Sequence, residues 1–520
     1  MIDAVVIASV VAGAVIGGLR WLRVAQREHY VPGRVTVIAL LWLRRSRRDL
    51  VLLLLGAVLG AGATVLAVVA DPAFALLAVP AAAVAALVPL GLSVRGRTSK
   101  LAWTPRLRRL ALAWGALLAV SGVVLALVYP STGIVALVVS VYPLPLSLDA
   151  VARVMDRVER RLSKPFVTKA QRRLARVRPQ VIAVTGSYGK TSTKGYIAHA
   201  LSGSRSVVAS PASFNNRLGL SRAVNDHLVD GTEVFVAEMG TFGPGEIREL
   251  CELFPPDVAV ITTIGEAHLE RMRTRENILA AKAEITERAR VAVLPVDEPL
   301  LAGLADSLVA SGRRVVTCSV EPGSPAAARA DVVVDLAAGA ATVRTPEGEE
   351  RLELESVPHA VNVAVAIGVA LALDVPPSSL RLRGLPRAAH RAEVYAGEGV
   401  AVVDDTYNAN PVGALAALQE AADLATQRGG PLVVVTPGIV ELGPVQDERN
   451  AAFAEAVVRA GGRLVVVGRT NRAALLAGAA RAGAAADVAD RREPAVTLAT
   501  SVAGEKGVVL YENDLPDHYP

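Results

Sequence analysis

The sequence predicts a chain of two parts: an N-terminal bundle of about five transmembrane helices, then two α/β domains. The first α/β domain carries a phosphate-binding loop, and the second has a Rossmann-like strand pattern. Of the 520 residues 52% are hydrophobic and 20% are charged, which is too apolar for an ordinary soluble enzyme and too charged for a pure membrane protein. Apolar stretches dominate the first 150 residues, whereas strand-like and helical runs alternate after residue 180. We expect domains at 1–150 (transmembrane), 151–180 (linker helix), 181–388 and 389–520.

Five charge-poor apolar stretches predict the membrane spans. A helix needs about 20 residues to cross the hydrocarbon core, and the middle three stretches meet that length. The first is shorter, and no small-residue cleavage site follows it, which favours a retained helix over a signal peptide. The predicted spans are Ala4–Gly18, Leu50–Ala70, Pro72–Val94, Leu110–Tyr129 and Ser131–Leu148.

Positive charge is concentrated in two connections between these spans, at 20–48 and 95–109. Basic loops stay on the cytoplasmic side of a cell membrane. We therefore expect a multi-pass protein of the cytoplasmic membrane whose N-terminus faces outward. Both α/β domains would then lie in the cytoplasm, where ATP is available.

The segment Asp149–Gln180 is polar and basic, with apolar residues at helical spacing. It predicts a juxtamembrane helix whose arginines contact anionic lipid head groups, or a plain connecting helix. The net charge of +6 belongs mostly to the membrane loops, and no interleaved aromatic and basic pattern indicates nucleic-acid binding. The two cysteines, Cys251 and Cys318, form no CxxC motif and are expected to be reduced.

Short apolar runs separated by helical stretches predict a mostly parallel sheet between residues 181 and 385. The segment Asp331–Leu354 instead predicts small antiparallel strands with a turn at TPEGEE. A second α/β unit begins near Arg391. Its predicted strands are VAVVDD, PLVVVTP, RLVVVG and GVVLYE.

The stretch VIAVTGSYGKTSTKGYIAHAL, residues 181–201, has the order strand, glycine turn, helix. Gly186 and Gly189 allow the backbone to wrap a phosphate, Lys190 supplies a cation, and Thr191 offers a hydroxyl to Mg²⁺. Val184 replaces the first glycine of the usual pattern. A strand–turn–helix with incidental glycines is the alternative, but only seven lysines occur beside 48 arginines. A chance lysine at this position is correspondingly less frequent.

Three further polar residues follow predicted strands or lie on a nearby helix. Glu238 ends a strand, His268 lies just past the next one, and Lys282 is on a helix. The carboxyl ends of parallel strands are where α/β sheets bind ligands. A carboxylate and an imidazole there could hold a divalent cation beside the nucleotide.

The chain resembles the Mur ligases over about residues 181–450. The resemblance is carried by ordered motifs and is greatest to the branch that adds D-alanyl-D-alanine to a peptidoglycan precursor. The motifs are TGSYGKTSTK, SFNNRLGL, AEMGTFGPGEI, ITTIGEAHLERM, AAKAEI, HRAEV and DDTYNANP. The resemblance implies an amide ligase that uses ATP and Mg²⁺, and an acyl phosphate intermediate that an amine attacks.

The resemblance also implies roles for individual residues. Lys190, His268, Lys282 and Arg391 would be catalytic. Thr191 and Glu238 would bind one Mg²⁺, and His268 would bind a second, helped by Lys282 if that lysine is carbamylated as in the family. The nucleotide would contact Gly186, Ser187, Gly189, Lys190, Thr191, Ser192, Asn362, Arg391 and Asp405. The substrate would contact Asn215, Asn216, Asn408 and Asn410.

The chain departs from the family pattern in several places. Membrane helices occupy the position of the domain that grips the UDP-sugar, which predicts a lipid-linked or small-molecule peptide precursor and an amino acid or dipeptide as substrates. The segment TPGIVELG, residues 436–443, replaces a glycine-rich strand end. The tail YENDLPDHYP either closes a substrate pocket or is a solvated tail. A poly-γ-glutamate-synthase-like ligase, a P-loop transport ATPase and an inactive scaffold are the alternatives.

Overall fold

The computed structural model describes residues 2–96, 100–128, 137–138, 140–211, 214–355, 359–386, 393–395, 399–406 and 409–520. The chain forms two compact units. The helical unit comprises Met1–Leu162 together with Gly468–Thr470 and Asp514–Pro520. The α/β unit comprises Ser163–Val467 and Asn471–Asn513.

Within its described residues, the helical unit contains three helices that are long and apolar enough to cross a membrane: α1 (Ile2–Arg27), α3 (Arg47–Val69) and α5 (Pro105–Val128). They correspond to the first, second and fourth predicted spans. The other helices of this unit are α2 (Arg34–Arg45), α4 (Ala78–Leu87), preceded by a 3₁₀ turn at Pro72–Leu77, and α6 (Leu144–Leu162).

The prediction of five spans is therefore not confirmed. The third predicted span ends as a helix at Leu87, because Pro89 has no N–H to continue it and Val88 takes the extended conformation favoured before proline. Residues 129–136 and 139 of the fifth lie outside the described residues. The basic connection after the first span contains the helix α2, and α6 runs across the boundary predicted at residue 150.

The short helix α4 packs closely against both α1 and α3. A Cβ added at Gly13 of α1 would lie 3.1 Å from the Ala82 carbonyl oxygen, and one added at Gly60 of α3 would lie 3.6 Å from the Ala81 Cβ. Small residues of this kind allow helix backbones to approach in apolar bundles. Near the end of α4 the Arg20 guanidinium donates hydrogen bonds to the carbonyls of Ala86 and Pro89. The bond to Ala86 satisfies one terminal acceptor of that helix.

The C-terminal heptapeptide is part of the helical unit. The Asp517 carboxylate lies 2.5 Å from Nη1 of Arg23, which is fully buried. The His518 carbonyl accepts a hydrogen bond of 2.9 Å from Trp42 Nε1. Only 1% of the His518 side chain is exposed, and its Nε2 lies 2.9 Å from Oε1 of Glu28. The prediction of a solvated tail is wrong.

The α/β unit is built on two sheets. The larger has nine strands in the order β2-β3-β1-β4-β5-β6-β7-β8-β9. Its pairs are parallel from β2 to β7, and β7, β8 and β9 are antiparallel, as predicted for residues 331–354. The strands are β1 (Gln180–Thr185), β2 (Val207–Ala209), β3 (Val234–Glu238), β4 (Val258–Ile261), β5 (Val291–Pro295), β6 (Arg314–Ser319), β7 (Val332–Asp335), β8 (Ala340–Thr345) and β9 (Gly348–Glu353).

Among the residues that the structure describes, the smaller sheet has six strands in the order β10-β11-β15-β12-β13-β14, all parallel except β10. The four predicted strands of this domain are confirmed as β11, β12, β13 and β15, whereas β10 and β14, of three residues each, were not predicted. The strands are β10 (Glu393–Tyr395), β11 (Ala401–Asp405), β12 (Leu432–Thr436), β13 (Arg463–Val467), β14 (Asp487–Ala489) and β15 (Val508–Glu512).

Helices cover both faces of each sheet, so alternate strand residues enter different cores. Ile182 and Val184 of β1 pack with Ile197 and Val363, whereas Val181 and Ala183 enter the opposite core. The helices of the α/β unit are α7 (Lys164–Val177), α8 (Lys190–Leu201), α9 (Arg217–His227), α10 (Glu246–Leu253), α11 (Leu269–Met272), α12 (Arg275–Ala283), α13 (Pro299–Ala310), α14 (Pro325–Arg329), α15 (Ala360–Ala372), α16 (Pro411–Arg428), α17 (Gln446–Arg459), α18 (Arg472–Arg481) and α19 (Arg492–Ala503).

Candidate active site

The predicted phosphate-binding loop connects β1 to α8. Gly186 and Gly189 have φ angles of +152° and +77°, which residues with a Cβ rarely adopt. A Cβ at Gly186 would also overlap the Thr262 hydroxyl. The loop therefore requires glycine at both positions. The helix α8 begins at Lys190, directly after this loop, and a helix N-terminus favours bound anions.

Two lysine amines converge on one carbonyl oxygen of this loop. Nζ of Lys190 lies 2.8 Å and Nζ of Lys282 lies 3.0 Å from the Gly186 oxygen. Lys282 is 2% exposed. Burial, assisted by the neighbouring Lys190 ammonium, lowers the pKa of Lys282 well below its ordinary value. The two predicted lysines thus lie together, although 92 residues separate them in sequence.

Glu238 ends β3, the strand beside β1 in the sheet, and its carboxylate is 2% exposed. Its Oε2 accepts hydrogen bonds of 3.0 Å each from the Thr191 hydroxyl and the Lys194 ammonium. Its Oε1 accepts one of 3.2 Å from Nδ2 of Asn215. A hydroxyl and a carboxylate are the oxygen donors that Mg²⁺ prefers, so Thr191 and Glu238 fit the predicted metal.

Sequence reasoning assigned no role to Lys194. It is one of only seven lysines and follows Lys190 by four residues on the same helix, so both project from one face. This four-residue spacing from Lys190 could have indicated a role for Lys194 in the sequence. Its ammonium is almost fully buried and compensates the charge of Glu238.

His268 follows β4 and has a left-handed φ of +65°. Its Nδ1 lies 2.7 Å from Oε2 of Glu441 in the smaller-sheet domain. The segment before it is fixed by Tyr188, whose phenolic oxygen accepts hydrogen bonds from the N–H groups of Glu266 and Ala267. Burial lowers the pKa of His268, although the Glu441 carboxylate acts in the opposite direction.

The second predicted metal site has a less suitable donor set. His268 contributes nitrogen, and an unmodified Lys282 contributes an amine rather than an oxygen. In the described part of the chain, no group of three or more His, Cys, Asp or Glu side chains is placed to hold a metal ion. Only a carbamylated Lys282 would supply oxygen donors there.

The predicted asparagines hold local structure. Asn216 caps α9 by accepting from the Gly219 N–H at 3.0 Å, and Asn410 caps α16 by accepting from the Gly413 N–H at 2.9 Å. Asn362 accepts a hydrogen bond of 2.8 Å from the Thr193 hydroxyl, beside Gly189.

The remaining predicted nucleotide ligands include Ser187, whose hydroxyl accepts from the Gly265 N–H at 2.9 Å. Ser192 lies partly exposed in the first turn of α8, and Asp405 is buried at the end of β11. Arg391 and Asn408 lie outside the described residues.

Comparison with known proteins identifies both α/β domains. The family model of the Mur ligase middle domain matches residues 184–370, and that of the Mur ligase glutamate ligase domain matches residues 390–511. Together they cover more than half of the chain. The described strands β2 to β15 lie almost entirely within these two regions, and the first region begins within β1.

Individual relatives are similar to this chain over about half to two thirds of its length. The UDP-N-acetylmuramoyl-tripeptide–D-alanyl-D-alanine ligase of Mycobacterium leprae is 35% identical over 263 residues, 47% of this chain and 50% of the relative. The Bacillus subtilis enzyme of the same name is 30% identical over 278 residues, 52% and 58% of the two chains. A solved MurF ligase of Thermotoga maritima in complex with ADP has a TM-score of 0.52 at 27% identity, covering 67% and 79%. The chain spans about half the length of the curated relatives it matches.

Proposed function

We propose that this chain, which belongs to the Mur ligase family, is an ATP-dependent, ADP-forming amide ligase of cell-wall peptide precursors. The observation that carries the proposal is the convergence of Lys190 and Lys282 on the Gly186 carbonyl, next to the Thr191–Glu238 pair. A cationic glycine loop beside a hard-oxygen cation site is what a bound nucleoside triphosphate requires.

The proposed reaction has two steps. A substrate carboxylate oxygen attacks the γ-phosphorus of ATP, the bond between that phosphorus and the bridging oxygen breaks, and ADP leaves. The amine of the second substrate then attacks the acyl phosphate carbon, inorganic phosphate leaves, and the amine loses a proton to solvent or a basic group. We assign Lys190 to neutralise charge on the transferred phosphoryl group, which is the main requirement of such a transfer.

Mg²⁺ held by Thr191 and Glu238 would supply charge neutralisation at the β- and γ-phosphates. Lys282 supports a further assignment. A neutral amine, rather than an ammonium, reacts with carbon dioxide to give a carbamate, and burial keeps a larger share of Lys282 neutral. We therefore assign Lys282 as a carbamylation site that adds oxygen donors near His268.

We assign Asn362, Asp405 and Arg391 to the nucleotide. Asn362 lies beside Gly189, and Asp405 ends β11 at the carboxyl edge of the smaller sheet, where such sheets bind ligands. Asn215, Asn216, Asn408 and Asn410 are assigned to the substrate. Among these, Asn215 contacts Glu238 directly, which would place an acceptor peptide close to the metal.

Two observations support a proposal for the substrate class. One is the names of the relatives, and the other is that this chain matches only about half of their length. Their names specify UDP-N-acetylmuramoyl-tripeptide and D-alanyl-D-alanine. In sequence, the segment Met1–Leu162 of the helical unit precedes the matched middle domain. We propose a peptide precursor that is joined to a D-alanyl-D-alanine-like amine, carried on a lipid or on a nucleotide. A transport ATPase has no support from either matched domain.

We further propose that the helical unit crosses the cytoplasmic membrane. Besides the three long apolar helices, the 3₁₀ turn and α4 together measure about 27 Å at the usual rises per residue, close to the hydrocarbon thickness of about 30 Å. Because α4 contacts Gly13 and Gly60 near the middle of two candidate spans, it would lie at membrane depth. A crossing there keeps both basic connections in the cytoplasm and the N-terminus outside, and a further crossing by the fifth predicted span, Ser131–Leu148, would return the chain to the cytoplasm before the α/β unit.

The test uses the full chain purified in detergent and supplied with ATP, Mg²⁺ and pairs of acids and amines. The acids are UDP-linked and lipid-linked muramoyl peptides and oligo-γ-glutamate, and the amines are D-alanyl-D-alanine and L-glutamate. We expect ADP release only when both substrates are present, with the condensed product seen by mass spectrometry. Lys190→Ala should lower the rate about 100-fold or more while the chain still inserts into membranes. ADP release without any condensation product across the panel would contradict the proposal.

A further inference from the structure

Glu441 lies in the loop after β12, in the segment TPGIVELG that departs from the family pattern. It connects the smaller-sheet domain to the segment around His268. Its Oε2 lies 2.7 Å from His268 Nδ1, and its Oε1 accepts a hydrogen bond of 2.6 Å from Nη2 of Arg271. Its backbone oxygen also accepts the Glu270 N–H at 3.2 Å. One residue therefore holds three of the four positions from His268 to Arg271, in the turn that carries His268 and begins α11.

The backbone of the loop fits this role. Glu441 has a left-handed φ of +65°, which is uncommon for a residue with a side chain. Such a backbone conformation persists where surrounding contacts hold it. Two residues later Gly443 has φ +58°, and a Cβ there would lie 3.0 Å from the Glu270 Cα. The loop can approach α11 this closely only with glycine at that position.

The imidazole of His268 is held on a second side by Phe242. Their rings meet edge to face with centroids 5.9 Å apart, and the Arg271 guanidinium lies 4.7 Å above the Phe242 ring. Arg271 thus contacts both Phe242 and Glu441. The His268 imidazole can therefore rotate only if its contacts with Phe242 and Glu441 break.

We propose that Glu441 is a positioning residue for His268, so that the contact of the smaller-sheet domain with the His268 turn sets the orientation and tautomer of that imidazole. A carboxylate beside Nδ1 stabilises the proton there, which leaves the lone pair on Nε2. Carboxylates that orient histidines in this way change metal affinity or activity by about 10- to 100-fold. The inference rests on the proposed function, because it assigns His268 to the metal–nucleotide site.

The chain offers a matched control at the same interface. Arg449 of α17 holds Glu266 with a two-pronged ion pair, Nη2 to Oε1 at 2.6 Å and Nε to Oε2 at 2.9 Å. Glu266 lies two residues before His268. Loss of this pair weakens the same domain contact without removing the partner of the imidazole.

The experiment measures binding of Mn²⁺ to the full chain in detergent, by electron paramagnetic resonance, with AMP-PNP present. Glu441→Ala should weaken Mn²⁺ binding about tenfold or more, whereas Arg449→Ala should change it less than about twofold. Glu441→Gln keeps an acceptor for the Nδ1 proton and should give an intermediate loss. In a His268→Ala background, Glu441→Ala should add nothing, because coupled residues are not additive.

Equal losses in Glu441→Ala and Arg449→Ala, or an undiminished loss in the His268→Ala background, would overturn this inference alone. A wild-type chain that bound no Mn²⁺–AMP-PNP would overturn the proposed function as well. Circular dichroism identifies any variant that fails to fold, and Glu441→Gln, which preserves side-chain volume, then decides the question.

Discussion

The Lys194 ammonium lies 3.0 Å from Oε2 of Glu238, and the two side chains are 6% and 2% exposed. The same carboxylate oxygen accepts the Thr191 hydroxyl. A bound Mg²⁺ would neutralise the negative charge of Glu238. In this structure Lys194, on the helix that follows the phosphate loop, already neutralises it. Metal binding and the Lys194–Glu238 ion pair therefore share one oxygen.

This sharing predicts a stability defect that metal partly reverses. Lys194→Met should lower the free energy of unfolding by about 3 kcal/mol, because it leaves a buried carboxylate without a counter-charge. Mg²⁺ with AMP-PNP should raise the melting temperature of Lys194→Met more than that of the wild type. Thermal unfolding by circular dichroism measures both. Lys169→Met, at an exposed position, is the control, and an equal metal response in all three proteins would contradict the prediction.

The phosphate loop should not tolerate a side chain at Gly186. Gly186→Ala forces a Cβ against Thr262 at a φ of +152°, so we expect at least about tenfold weaker AMP-PNP binding, measured by isothermal titration calorimetry. Gly303→Ala is the matched control, since Gly303 lies in α13 with open space around its Cα. That variant should bind normally and be slightly more stable. Normal nucleotide binding by Gly186→Ala would show that the loop conformation is not required.

The strands and the loop glycines could be predicted because their signals are local. Runs such as Val181–Val184 are continuously apolar, as expected for strands buried on both faces, and Gly186 and Gly189 mark a turn that needs positive φ. The early end of the helical segment Pro72–Leu87 was harder to predict. Hydropathy measures the length of an apolar stretch, but it does not detect that the helix stops before Pro89.

Contacts between distant segments could not be predicted. Glu441 meets His268 across 173 residues, and Asp517 meets Arg23 across 494. No local periodicity encodes such a pairing, since it depends on how complete domains pack. Lys194 is an intermediate case: its helix position was predictable, but the burial of its partner Glu238 was not.

Glu512 should make the stability of the smaller-sheet domain depend on pH. Burial raises its pKa to about 8, with the Asp405 carboxylate adding to the shift and the Thr436 hydrogen bond opposing it. A raised folded pKa contributes stability that is complete below the unfolded pKa, near 4.5, and is lost as pH rises through about 8. We expect the melting temperature of the wild type to fall relative to Glu512→Gln between pH 5 and 8.

The measurement compares melting temperatures of wild type, Glu512→Gln and the exposed control Glu505→Gln from pH 5 to 9. Other groups titrate in the same interval, so the difference between wild type and Glu512→Gln is the relevant quantity. Glu505→Gln should follow the wild type. A difference that stays constant with pH would mean that Glu512 ionises normally.

The docked C-terminal heptapeptide should stabilise the helical unit. Arg23 is fully buried, and Nε and Nη2 of its guanidinium have no hydrogen-bond partner among the described residues. Asp517 on Nη1 supplies its compensating charge. Asp517→Ala should therefore destabilise the helical unit by about 3 kcal/mol, and deletion of Asp514–Pro520 should cost more, because it also removes the acceptor of Trp42.

Tryptophan fluorescence isolates this effect. All four tryptophans of the chain, Trp21, Trp42, Trp103 and Trp114, lie before residue 162, so their emission reports on the helical unit alone. In detergent, Asp517→Ala and the deletion should lower the fluorescence melting temperature, and the deletion should shift the emission of buried Trp42. Asp306→Asn, at an exposed position of α13, should do neither. Because Asp517 neutralises a cation that has no solvent to do so, an unchanged fluorescence transition in both tail variants would mean that the heptapeptide is not bound to the helical unit in detergent.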